Sequence, residues 1–173
     1  NLQDLINLEG FFYAMEPRIE ILKEIKLVGH CIQMSLFDNK TGELWKGFMP
    51  YRKEIKNTIS ANLFSVRVYK SPLNGPKDFE QEITKWATAE VSTFDDLPPN
   101  MSWLILPEGL YAVFHYKGLN TDTSIFNYIY GKWIPNSEYM LDNRPHFEVL
   151  GEKYKNNDPD SEEEIWIPIK PKD

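Results

Sequence analysis

Apolar and polar residues alternate from Arg18 onward. Ile19, Ile21 and Ile25 share one parity; Val28, His30, Ile32, Met34 and Leu36 share the other. A period of two marks a strand with two unlike faces, so residues 18–36 are predicted as one long strand, kinked where the parity changes and close to Gly29. Leu44, Trp45 and Phe48 then fall at helical spacing, with Thr41 as N-cap and Pro50 beyond the end. The segment LFSVRVY (63–69) alternates with Phe64, Val66 and Val68 on one side. After the loop SPLNGP (71–76), residues 82–91 read as a strand with Glu82, Thr84, Trp86, Thr88 and Glu90 on one face. DDLPPN (95–100) interrupts the chain, and residues 104–116 predict a strand, or a hairpin turning at Pro107-Glu108-Gly109. Thr121 or Asp122 opens a second helix carrying Ile125, Phe126, Ile129, Tyr130 and Trp133. A strand around Phe147, an acidic linker (156–163) and a final strand with Ile165, Ile167 and Ile169 complete the pattern. Residues 1–17 read as a short amphipathic helix or an N-terminal arm and linker.

Two of these segments are alike. LWKGFMP, from Leu44, and IYGKWIP, from Ile129, share an order of aliphatic, aromatic, two variable, aromatic, aliphatic and proline, 85 residues apart. The same offset joins Val28 to Val113, His30 to His115 and Tyr69 to Tyr154; Glu82-Ile83 meets Glu164-Ile165 at a nearby one. The expected architecture is α+β: duplicated β-α-β-β units, spanning about 18–93 and 103–170, forming one curved antiparallel sheet of about eight strands with two main helices. Residues 18–173 then make one domain. The seam between its halves is a natural central cleft, to which one helix offers Trp45 and Phe48 and the other Tyr130 and Trp133.

Composition narrows the function. The chain has 173 residues and is 14% aromatic, more rings than a core of that size needs. A formal net charge of −7 argues against holding nucleic acid or anionic lipid unaided, and suits neutral or cationic lipophilic ligands. The single cysteine, Cys31, excludes an internal disulfide and fits a reducing, cytoplasmic setting. There is no apolar run of membrane-spanning length and no signal pattern. His30, His115 and His146 show no metal-ligand spacing, Cys31 and His30 point to opposite faces, and no glycine-rich phosphate loop occurs, so neither metal nor cofactor is expected.

The strongest single candidate is Glu148, between Phe147 and Val149 in RPHFEVL (144–150). A carboxylate withdrawn from water needs a partner. Among aromatic rings that partner is an apolar cation, drawn by low dielectric and by cation–π contact of about 0.5–2 kcal/mol per ring; alternatively it is a neighbouring Lys or Arg. Trp86, Tyr111 and Phe114 are further candidate pocket residues, although Tyr111 and Phe114 fall on opposite faces of one strand.

The segments GLYAVFHYKG (109–118), IYGKWIPNSEY (129–139), RPHFEVL (144–150) and EIWIPIK (164–170), in this order, resemble the GyrI-like effector-binding domain, the ligand-sensing part of many AraC-type and MerR-type transcription regulators. The resemblance implies a duplicated fold and a bulky, often cationic ligand held between the halves. It also implies a buried glutamate at Glu148 and pocket aromatics at Tyr111 and Trp133, with Trp86 where relatives often carry another ring. On this reading the partner is a small hydrophobic or cationic ligand, and DNA is reached only through a separate helix-turn-helix domain absent from this chain; the first residue, Asn, leaves room for one upstream. Some stand-alone members resemble hydrolases of cyclopropane-bearing toxins, which gives a rival reading with Glu148 as base or nucleophile and Tyr111 as proton donor. Two further rivals are a toxin-sequestering binder and an interaction module whose rings are all core.

Overall fold

The structure, a computed structural model, describes residues 15–173. The expected N-terminal arm therefore lies, apart from its last three residues, outside the described part. Among the described residues nine strands form: β1 (Arg18–Leu22), β2 (Ile25–Met34), β3 (Thr58–Tyr69), β4 (Ile83–Val91), β5 (Ser102–Leu106), β6 (Gly109–Lys117), β7 (Tyr139–Leu141), β8 (His146–Leu150) and β9 (Glu162–Pro171). Eight of them make one antiparallel sheet in the order β1-β6-β9-β8-β3-β4-β2-β5, and short β7 pairs with the end of β9.

This order is that of a duplicated β-α-β-β unit. One unit is β2, the first helix (Thr41–Phe48), β3 and β4; the other is β6, the second helix, β8 and β9. β3 and β8 meet in the middle, with Ser65 opposite Glu148 and Arg67 opposite His146. The strand preceding each unit joins the other one: β1 lies on β6, and β5 on β2. Two expectations are corrected here. The single strand predicted over 18–36 is two strands near opposite ends of the sheet: the chain crosses at Lys23-Glu24, between β1 and β2, whereas the parity change after Ile25 falls inside β2. The hairpin at Pro107-Glu108-Gly109 is likewise a crossing, since β5 and β6 do not pair with each other.

Gly29 has its own reason to be glycine. It lies opposite Thr88 in the β2–β4 ladder, where an added Cβ would stand 1.9 Å from the Ala87 carbonyl oxygen.

The sheet has two differently used faces. On one, the first helix covers Val28, Ala87, Ala89 and Val91 with Leu44 and Phe48. On the same face the second helix covers Ala112, Phe114, Ile165, Ile167 and Ile169 with Ile125, Ile129 and Ile134. The opposite face carries Leu27, Phe64, Val66, Trp86, Tyr111, Val113, Phe147 and Trp166. Leu22 from one edge strand and Leu104 from the other both pack on that cluster, so the sheet curls around it as a half-barrel. Each fully buried large side chain contributes about 1.5–3 kcal/mol by leaving water, which anchors both helices firmly enough to hold a gap between them.

The offset of 85 relates the helices but not the strands. Leu44 and Ile129 are both buried under their helices, whereas Val28 faces the first helix and Val113 faces the opposite side. Between β2 and β6 the face is kept at an offset of 84, which pairs Val28 with Ala112 under their helices, so an offset of 85 lands one residue on and on the other face. His30 accordingly packs edge-on against Phe48, while His115 meets Glu162 on the surface.

The second helix is not regular. It runs as α-helix over Ser124–Tyr128, as a wider π turn over Ile129–Trp133, and as α-helix again over Ile134–Asn136. The π turn lies just before Pro135, whose missing N–H already interrupts the hydrogen-bond ladder. Tyr130 projects from this turn.

Candidate ligand-binding site

Between the two helix-capped cores the sheet is uncovered, and a cleft of about 2480 Å³ lies over β3, β8 and their neighbours. Strand parity selects its floor. With Phe64 and Val66 on the half-barrel face, Ser65, Arg67 and Tyr69 of β3 turn to the cleft. For the same reason β4 supplies Ile83 and Lys85, β8 supplies Glu148 and Leu150, and β9 supplies Glu163. Trp45 stands on the first-helix side, and Phe126 and Tyr130 on the second-helix side. Phe79 comes from the 3-10 turn Pro76–Glu80. Its ring lies 4.6 Å from that of Tyr130 and 6.0 Å from that of Tyr69, so one wall is continuously aromatic.

Four acidic or basic side chains share the floor: Arg67, Lys85, Glu148 and Glu163. Glu148 and Lys85 are each only 7% exposed. Arg67 Nη2 lies 3.7 Å from Glu148 Oε1, too far for a good hydrogen bond, and no described residue bonds Glu148 Oε2 or Arg67 Nε. The Arg67 guanidinium sits 4.9 Å from the centre of the Phe126 ring. Burial is the largest influence on Arg67 and opposes its charge, but Glu148, Tyr130 and Tyr69 together outweigh it, and the guanidinium stays firmly protonated. Burial pushes the Lys85 amine down to about 8, with Glu148 holding it up and Arg67 pressing it lower. Burial, reinforced by the negative charge of Glu148, pushes the Glu163 carboxyl up to about 7. His146, behind the floor, is held neutral by burial and by the nearby Arg67 and Arg144 charges. Arginine can only donate, so the Tyr130 oxygen accepts from Arg67 at 3.5 Å and its proton goes to His146 Nδ1 at 2.7 Å. That chain fixes where the guanidinium stands.

Of the eight residues expected in the site, the cleft brings together Glu148, Tyr130 and Trp45. The other five lie elsewhere. Phe48 is fully buried beneath the first helix, with Trp45 edge-on to it at 5.7 Å. Phe114 is fully buried beneath the second helix, where Trp133 meets it edge-on at 5.2 Å and stacks on Tyr139. Trp86 and Tyr111 are on the half-barrel face, because strand parity turns Lys85 rather than Trp86, and Ala112 rather than Tyr111, toward the helices. The Tyr111 hydroxyl donates to the Pro145 carbonyl at 2.9 Å, and Arg144 covers its ring. The Glu148–Tyr111 pair that a hydrolase reading requires is thus split between the two faces of the sheet.

Arg67, Lys85, Glu163, Tyr69, Phe79 and Phe126 were not singled out from the sequence. For the first two a signal existed: like Glu148, each is a charge set inside an apolar, alternating strand. Among the described residues, no group of three or more His, Cys, Asp or Glu side chains is placed to hold a metal ion. No described helix is long and apolar enough to cross a membrane.

An open cleft with a buried, half-partnered carboxylate and an aromatic wall is built to take up a small organic molecule, and the comparisons with known proteins agree. The chain resembles an integron cassette protein from the mobile metagenome of Vibrio cholerae, with 14% identity over 90% of this chain and 96% of that one and a TM-score of 0.62. It resembles SAV2435, solved bound to tetraphenylphosphonium, with 17% identity, 90% and 94% coverage and a TM-score of 0.66. It also resembles EcmrR, solved as an EcmrR–DNA complex, with 14% identity over 98% of this chain and 64% of that one and a TM-score of 0.64. At these identities the structural likenesses establish the fold. A comparison with curated proteins gives no match. The pattern of the Cass2 family, the integron-associated effector-binding proteins, matches residues 18–169. The chain belongs to that family, and it is a small-molecule-binding domain.

Proposed function

We propose that the cleft takes up a bulky lipophilic compound, with Glu148 receiving its cationic or hydrogen-bond-donating group, and that this binding is the input of a cytoplasmic transcription regulator. The observation that carries the reading is Glu148 Oε2, a buried carboxylate oxygen without a hydrogen-bond partner among the described residues, on the floor of a ring-lined cleft. A desolvated acceptor of this kind gains more from a donor than it would in water, since otherwise the buried group is left unsatisfied. SAV2435, with tetraphenylphosphonium bound, lends support for lipophilic cations as one accepted class. EcmrR, in which a matching domain belongs to a longer chain that forms a DNA complex, supports the regulatory role. The single cysteine suits a reducing compartment.

The binding half is tested by displacement of an environment-sensitive dye with a series of lipophilic amines and onium salts. Displacement that weakens in Glu148→Gln supports it, and the absence of any displacement overturns it. The regulatory half is tested on the gene. An adjoining or co-transcribed helix-turn-helix segment, with ligand-dependent DNA binding, supports it. A binder that acts on no DNA-binding protein is a sequestering protein instead.

A further inference from the structure

We propose that the preferred ligand is amphoteric: a lipophilic body bearing both an ammonium and a carboxylate, gripped by the acidic and the basic side of the cleft floor together. This deepens the proposed function and rests on the cleft being the ligand site. The four charges are not scattered. Arg67 and Lys85 come from β3 and β4 of the first unit, Glu148 and Glu163 from β8 and β9 of the second. The floor is therefore a dipole whose formal charges cancel. A permanent cation placed at Glu148 would sit close to Arg67, which already stands 3.7 Å from that carboxylate, and in a poorly hydrated site such repulsion is weakly screened.

The unused hydrogen-bonding capacity has two signs as well. Glu148 Oε2 lacks a donor and Arg67 Nε lacks an acceptor. Lys85, almost fully buried, adds a second basic group on the same floor, under the influence of Glu148 and Glu163. A simple amine answers the first vacancy and leaves the second; a simple acid does the reverse. Only a molecule with both groups close together satisfies both, and the adjacency of Arg67 and Glu148 suits the short separation of ammonium and carboxylate in an α-amino acid. Such a headgroup also suits Glu163 and Lys85, whose opposite charges face the same space.

The test uses three probes that share one aromatic body: 2-(2-naphthyl)ethylamine, 3-(2-naphthyl)propanoate and 3-(2-naphthyl)alanine, each titrated calorimetrically into the full chain at pH 7. The amino acid is expected to bind at least about tenfold more tightly than either single-charge analogue, equivalent to about 1.4 kcal/mol. In Lys85→Gln that advantage should shrink toward unity while the amine binds no worse, and in Glu148→Gln the amine and the amino acid should both weaken. An amine that binds wild-type protein as tightly as the amino acid overturns the amphoteric grip and leaves the cleft reading standing. The amphoteric grip is overturned in the same way, with the cleft reading intact, if none of the three binds while a lipophilic dye does. If neither the probes nor the dye bind, the cleft reading falls with it. The wild-type comparison alone decides the matter should either variant fail to fold.

Discussion

The two halves of this molecule are alike as frames and opposite as chemistry. Each supplies a strand, a covering helix and two further strands, and each lends its preceding strand to the other. Yet on the cleft floor the first half places Arg67 and Lys85 and the second places Glu148 and Glu163, while exposed Lys46, Arg52 and Lys170 and half-buried Asp142 also line the cleft. The first helix is a regular span with one ring, Trp45, on the cleft; the second is broken by a π turn and brings Phe126 and Tyr130. Duplication sets the positions of floor and walls, because backbone pairing and apolar packing tolerate many sequences. Side chains that touch only the cleft carry little of the packing, and they are free to diverge into a polarised site.

The frame is the most sensitive part. Gly29→Ala would drive a methyl group into the Ala87 carbonyl, at a cost of about 3 kcal/mol, read as a lower midpoint in urea unfolding. Stability unchanged in that variant would mean that β2 and β4 can part without penalty, and the equivalence of the two frames would lose its basis.

Next comes the chemical contrast itself. Glu148→Gln should reduce affinity for a lipophilic amine by roughly 10–100-fold, since it removes a charge-assisted bond of about 1.5–3 kcal/mol. Arg67→Gln should leave amine binding intact or stronger. Equal losses from both would show that the halves are not opposed in function.

The pH dependence follows from the same contrast. Glu163 titrates near 7 in the folded chain against an ordinary 4.5, so between those values the folded state holds the extra proton, and its contribution to stability falls as pH rises. Lys85, near 8 against 10.5, does the reverse, and its contribution rises across that upper interval. His146, held below its usual 6.5, also favours the folded state more as pH rises toward 6.5. The Glu163 part is isolated by comparing urea unfolding of the wild type and Glu163→Gln at pH 5 and pH 7. The wild type should lose ground relative to the variant at the higher pH.

Smaller effects are expected from single contacts. Tyr130→Phe removes the link between Arg67 and His146 and should cost about 1 kcal/mol in thermal or urea unfolding. Trp86→Phe, on the half-barrel face, should leave ligand affinity within about twofold of wild type, because a site that touches neither ligand nor floor couples weakly to it. A large affinity loss from Trp86→Phe would mean that the ligand enters by the other face.

Much of the fold was legible from the chain because its elements are local patterns. The helix at Leu44, Trp45 and Phe48, the alternation at 63–69 and 165–169 and the repeated seven-residue segment each declare themselves within a few residues. The exchange of β1 and β5 was hidden because a strand's partner is chosen by the whole sheet; Lys23-Glu24 looks the same whether it bends a strand or carries it across. The site was legible in part. Glu148 stood out as a charge among apolar neighbours, and Arg67 and Lys85 carried the same mark in their own strands. Trp86 and Tyr111 misled because a large ring signals burial without saying on which face.

The amino-acid order by itself determined the period of each element, the kinship of the two helices and the presence of a carboxylate in apolar surroundings, since these depend on residues near one another in the chain. Only the tertiary structure decided which parity of each strand looks into the cleft. It alone brought two basic residues from one half against two acidic residues from the other, because residues as far apart as Arg67 and Glu163 become neighbours only after β3, β8 and β9 have paired.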